Sequence, residues 1–190
     1  RLLFDSLYWP SDLGHYGLQG RTDGRTFEPN TAMRHASLML MLMSSFLTVA
    51  RIALRNPGLV PAEKLGWCPE AKGIFKITRH PLMWGIALWG FSHAIANGHA
   101  AALGLFGGMA ALAVAGALHI NFRKHETLGD TWLDFEKQTS FMPLAATAAG
   151  RTRTEKGGIF WWQTLLAIAI YVGLLTVHGV MGRKIFPIWF

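Results

Sequence analysis

The 190-residue chain has one cysteine, Cys68. That excludes a disulfide framework within the chain and any multi-thiolate metal site. Charge is scarce too: Asp, Glu, Lys and Arg make up 15% of residues, where a soluble domain carries about 25%. Acidic residues are the scarcer half, 11 against 18 basic ones, for a formal net charge of +7. The basic residues are scattered and form no stripe interleaved with aromatics. A nucleic-acid partner is therefore not expected, and a membrane surface accounts better for the excess. There is no dinucleotide-type glycine fingerprint, Walker loop or internal repeat. Hydrophobic residues, at 51%, are too many for a disordered chain. Because it starts on Arg1, the sequence reads as processed or as a fragment, with any export signal or transit peptide outside it.

What the chain does have is apolar sequence of membrane-spanning length. A helix needs about 20 mostly apolar residues to cross a hydrocarbon core of roughly 30 Å. Four segments approach this: residues 36–54, 82–96 (extendable backward through Ile77 and Ile74), 100–120 and 159–181. Residues 1–10 read as the tail of a further helix. Leu128, Trp132 and Phe135 recur at helical spacing among charges, the pattern of an amphipathic helix at the interface. The expected fold is all-α: a polytopic integral membrane helix bundle of about four transmembrane helices plus that interfacial helix. Residues 1–32 would be extramembrane or the remnant of an upstream helix, 33–146 the membrane core, and 147–190 a C-terminal transmembrane helix and tail.

Lys and Arg placement sets the orientation. Five fall between Arg55 and Arg79 and six between Arg123 and Lys156. Both loops are expected on the cytoplasmic side or its organellar equivalent. Gly104, Gly107, Gly108, Ala111, Ala115 and Gly116 give the third segment a small-residue face suited to close helix packing.

Eight histidines sort by depth into two groups. His80, His119 and His125 lie at the basic end, where His80 could approach His119. His35, His93, His99 and His178, with His15, lie at the other. His93 follows Trp89 and Gly90, and Gly85, Trp89 and His93 lie one turn apart. Small residues there would leave room for a flat ligand such as a porphyrin, with His35 or His178 at matching depth as a second ligand. An interhelical hydrogen bond is the structural alternative. Arg79 and His80, just before Pro81, sit where a helix N-terminus favours anions and form a candidate anion or headgroup site. Glu126, Asp130, Asp134 and Glu136 are read as a solvated face.

Several runs carry a family resemblance: residues 73–85 (GIFKITRHPLMWG), 88–93 (LWGFSH), 96–99 (ANGH), 105–108 (LFGG), 128–132 (LGDTW) and 139–146 (TSFMPLAA). In this order they resemble the core of the NnrU family, membrane proteins named from bacterial nitrite and nitric oxide reduction clusters, to which plant zeta-carotene isomerases are related. The resemblance covers roughly residues 33–146. It implies haem b held by histidine, with His93 as an axial ligand to the metal and Trp89 and Gly90 beside it. The family's second ligand lies on an N-terminal helix that is expected to fall outside this sequence, so His35 and His178 are the expected substitutes. Gly90 stands where the isomerases carry cysteine, which speaks against thiolate–histidine ligand switching. The implied activity is redox or carotenoid cis–trans isomerase chemistry on an apolar substrate such as a carotenoid or quinone, or a role in nitrite and nitric oxide metabolism. The implied setting is a bacterial inner membrane or an organellar (mitochondrial or plastid) one. Two alternatives stand: a non-catalytic accessory subunit of a larger membrane complex, such as a mitochondrial respiratory one, and an S-adenosylmethionine-dependent membrane methyltransferase. The latter resemblance rests on Arg79, His80, Pro81 and residues 128–143, but residues 120–122 (INF) lack the acidic pair of those enzymes.

Overall fold

The computed structural model describes residues 24–52, 71–152 and 161–180. Regular structure in them is helical, apart from one isolated bridge between Arg25 and His99. Helix α1 spans Thr31–Ile52. It begins earlier than the apolar run because the Asn30 side chain accepts a hydrogen bond from the Met33 amide at 2.9 Å, capping the first turn. A short 3-10 turn, Gly73–Lys76, leads to α2, Pro81–Asn97. Helix α3 runs Ala100–Leu128 and contains a π-helical turn at Leu103–Gly107. The short α4 (Asp130–Gln138) and α5 (Ala145–Ala148) precede α6, Trp161–Val180.

Three of these helices, α1, α3 and α6, are long and apolar enough to cross a membrane. The fourth expected span, α2, has 17 residues. At about 1.5 Å per residue it covers some 25 Å, short of the roughly 30 Å hydrocarbon core. It does not extend backward through Ile77 and Ile74. Pro81 fixes the first helical position and disfavours helical geometry in the residue before it, and His80 has φ −121° and ψ 56°. At the other end Gly98, with φ +70°, closes the helix in the left-handed region. Helix α3 outruns its apolar stretch by eight residues to end at Gly129, φ +49°. The amphipathic helix is therefore shorter than expected, confined to α4. Residues 1–10, 53–54, 159–160 and 181, which figured in the expected spans, lie outside the described residues.

Helices α1 and α2 pack antiparallel through small polar residues. Ser37 Oγ lies 3.0 Å from Ser92 Oγ, and Ser44 Oγ donates to the Gly85 carbonyl at 2.7 Å. The two contacts are seven residues apart on each helix, a two-turn repeat that holds one face against the other. Gly85 makes this approach possible, since a Cβ there would collide with Thr48 Oγ1. Helix α6 packs on a neighbouring face of α1, where Ser45 Oγ donates to the Ala167 carbonyl and Tyr171 OH to the Leu38 carbonyl. Helix α3 packs on α2. The outer helices leave large apolar side chains uncovered, among them Leu112, Phe122 and Trp161. Such faces are what lipid covers.

Candidate functional sites at the two ends of the bundle

The end opposite the basic loops carries an aromatic and histidine cluster. The His93 ring lies 4.8 Å from Trp89, 4.9 Å from Phe106 and 6.2 Å from His178, centroid to centroid. Trp89 meets Phe106 edge-on at 5.3 Å. Phe106 belongs to the π turn of α3, which carries its ring toward α2. The sequence reading passed over it, because a π turn has no simple signature in residue pattern.

Each histidine here is oriented by its own helix. His93 Nδ1 lies 2.9 Å from the Trp89 carbonyl and His178 Nδ1 lies 2.7 Å from the Leu174 carbonyl. In the tautomer this favours, Nδ1–H donates and Nε2 keeps its lone pair. His35 makes the same bond to the Thr31 carbonyl of its own helix at 2.8 Å, but it is exposed on α1. The fold thus joins His93 with His178 and leaves His35 apart. Among the described residues no group of three or more His, Cys, Asp or Glu side chains could hold a metal ion. What the cluster can offer is a pair of imidazoles.

Gly90 does not leave the open space expected of it. A Cβ there would lie 2.6 Å from the Phe106 carbonyl oxygen and 3.1 Å from the Ala110 amide nitrogen. The missing side chain is used to bring α3 against α2, as Gly85 is used on the α1 side.

The basic end is built around Arg79 and Glu136. The Thr78 hydroxyl donates to the Phe141 carbonyl at 2.7 Å, and the Arg79 amide to the Ser140 carbonyl at 2.9 Å. These bonds tie the chain before α2 to the loop after α4. Trp132 and Phe135, both buried, anchor α4, and Phe135 meets Phe75 edge-on at 5.9 Å. The next residue, Glu136, then faces inward. Its Oε1 lies 3.4 Å from Arg79 Nη2 and its Oε2 lies 3.0 Å from His125 Nε2. Burial pushes the Glu136 carboxyl up, but the Asn121 hydrogen bond, the Arg79 charge and His125 outweigh it and hold it below the usual carboxylate range. Burial is also the main influence on Arg79 and lowers its guanidinium from the ordinary value, which Glu136 partly offsets.

His80 does not approach His119, which is exposed. Its Nε2 lies 3.4 Å from Asn121 Oδ1, and its ring meets Phe141 edge-on at 5.6 Å. Burial pushes this imidazole down to about 4, so it is neutral near pH 7. His80 and Arg79 were expected to share one anion site, yet the neutral ring turns toward α3 while the guanidinium turns toward α4. Glu136 and Asn121 were missed in the sequence. Glu136 sat among charges that read as solvated, and Asn121 stood in a stretch considered only for the acids it lacks.

Comparison with known proteins places these features. The family described as NnrU protein matches residues 14–184. The 15-cis-zeta-carotene isomerase, chloroplastic, of Zea mays is 33% identical over 84 residues, 44% of this chain and 23% of that protein. The protein of the same name from Arabidopsis thaliana is 34% identical over 79 residues, 42% of this chain and 22% of that one. The match thus spans less than a quarter of the length of either relative. No solved structure matches.

Proposed function

The chain belongs to the NnrU protein family, and on that premise we propose that this integral membrane protein holds haem b between His93 and His178. The observation that carries the reading is the imidazole pair. Neutral imidazole is a competent haem ligand, and two imidazoles brought close together would be the residues to hold its iron. His93 and His178 are 6.2 Å apart, both with Nδ1 occupied by a carbonyl. Trp89 and Phe106 supply apolar walls at the same level.

When bound, haem would supply one-electron redox chemistry. The chain's own residues then have simple duties. The Trp89 and Leu174 carbonyls fix the tautomers, and Phe106 and Trp89 limit water. The activity proposed is redox or double-bond isomerisation on a carotenoid- or quinone-like molecule, in a bacterial inner or organellar membrane. The relatives' name, an isomerase of 15-cis-zeta-carotene, supports the substrate class.

The test is the visible spectrum of the full chain expressed with a haem precursor and purified in detergent. We expect a Soret band with bis-histidine features, lost or shifted to a high-spin form in His93→Ala and in His178→Ala but kept in His35→Ala. Absence of the band, or a band indifferent to His93→Ala, overturns the proposal.

A further inference from the structure

The basic end holds a cation that the haem reading does not use. The Arg79 side chain is 13% exposed. One of its nitrogens pairs with Glu136, while Nε and Nη1 are buried without a hydrogen-bond partner. Buried donors left unmade cost free energy, most of all on a charged group. Nε and Nη1 lie on different edges of the guanidinium fork, so each seeks an acceptor oxygen of its own, and an oxyanion can supply one.

Beside this fork lies an open cleft of about 460 Å³, lined by Arg79, Glu136, Lys137, Ser140, Phe141 and Arg151 among others. Arg151 is held at the rim, its Nη1 donating to the Thr139 carbonyl at 3.2 Å and the Lys137 carbonyl at 3.3 Å. Lys137 is exposed and also meets Asp134 at 2.7 Å. Three cations against the one lining carboxylate leave the cleft electropositive. A carboxylate ligand would duplicate Glu136, whereas phosphate brings more charge and more acceptor oxygens.

We propose that Arg79, with Lys137 and Arg151, binds a phosphate oxyanion in this cleft, supplied by a phospholipid headgroup or by free phosphate. The site is independent of haem, because it lies at the opposite end of α2 from His93. It differs from the site expected in the sequence in taking Arg79 without His80 and in reaching its ligand from α4 and the loop after it. Glu136 competes with the ligand for the same guanidinium, so it sets the affinity without contacting the anion.

The experiment uses the full chain in nanodiscs. One arm titrates inorganic phosphate into discs of neutral phosphatidylcholine, followed by ³¹P line broadening. The other counts phosphatidylglycerol retained after extraction from mixed discs, by native mass spectrometry. Saturable phosphate binding identifies free phosphate, and retained phosphatidylglycerol without it identifies the headgroup. In whichever arm binds, Arg79→Gln should weaken binding at least about tenfold, and Lys137→Gln by about two- to threefold. Glu136→Gln should tighten it by roughly fivefold, because the competing charge is gone. That opposite sign keeps the test sound even where Arg79→Gln fails to fold, since a merely structural Arg79–Glu136 pair gives no tightening. Binding in neither arm overturns the proposal, as does binding unmoved by Glu136→Gln and Lys137→Gln.

Discussion

Gly90→Ala tests the claim that this glycine joins helices rather than cradling a ligand. The new Cβ would stand 2.6 Å from the Phe106 carbonyl oxygen and 3.1 Å from the Ala110 nitrogen. Both obstacles are backbone, so no rotamer change relieves them. Reaching an ordinary contact of about 3.5 Å requires α2 and α3 to part by roughly 1 Å. Overpacking of this kind costs about 3 kcal/mol at the upper end, and the better helix propensity of alanine returns about 1 kcal/mol. The net is a loss of about 2 kcal/mol, or a Tm lower by roughly 4–8 °C for a chain of this size. Gly108→Ala is the control. It lies on the same helix pair but meets nothing within 4 Å, so it should raise Tm by a few degrees. Thermal unfolding in detergent, followed by near-ultraviolet circular dichroism, measures both. A Gly90→Ala protein that melts at or above the wild-type temperature, with Gly108→Ala behaving as stated, refutes the packing argument.

His80 predicts acid lability. Its unfolded form takes up a proton near pH 6.5, whereas the folded form, facing Asn121, Phe141, Arg79 and Glu136, resists until about 4. The unfolded state therefore binds more protons across that window, and stability falls as pH drops from 6.5 to 4, by up to about 3 kcal/mol. Denaturant melts across that range should show the loss in the wild type and a much flatter profile in His80→Gln; equal slopes would contradict the assignment. The buried Ser37–Ser92 pair should show coupling: Ser92→Ala should cost about 1 kcal/mol, and adding Ser37→Ala should cost less than its effect alone. A double-mutant cycle with no interaction term would show that the pair adds nothing to the α1–α2 contact.

The apolar runs made the helices legible, since length and hydropathy are properties of one segment at a time. Their ends were less legible, because caps decide them. Asn30 started α1 ahead of the apolar run, Pro81 held back α2, and Gly129 stopped α3 well past Ile120. His93 could be singled out from its neighbours, and His178 could be offered as a partner at matching depth. Choosing His178 over His35 needed the tertiary arrangement, in which α6 brings its last turns to α2 while His35 faces outward. The basic end was least legible. Glu136 reads as one more surface acid until α4 docks on Phe75 and turns the carboxylate toward Arg79. Arg151, fifteen residues further on, reaches that cleft only through the loop after α4.

The π turn at Leu103–Gly107 has a consequence for insertions and deletions rather than substitutions. Such a turn carries one residue more than the α-helix needs. Gly104 and Gly107 within it meet nothing within 4 Å, so dropping a single residue there could be absorbed as uninterrupted α-helix. The long C-terminal part of α3 would keep its seat on α2. Because a π turn winds its extra residue into nearly the same rotation, the stretch before it, with the hairpin at Gly98 and His99, would keep its facing. A residue removed elsewhere in α3 would instead turn everything before it by about 100°, so this turn is where the helix tolerates a change of length.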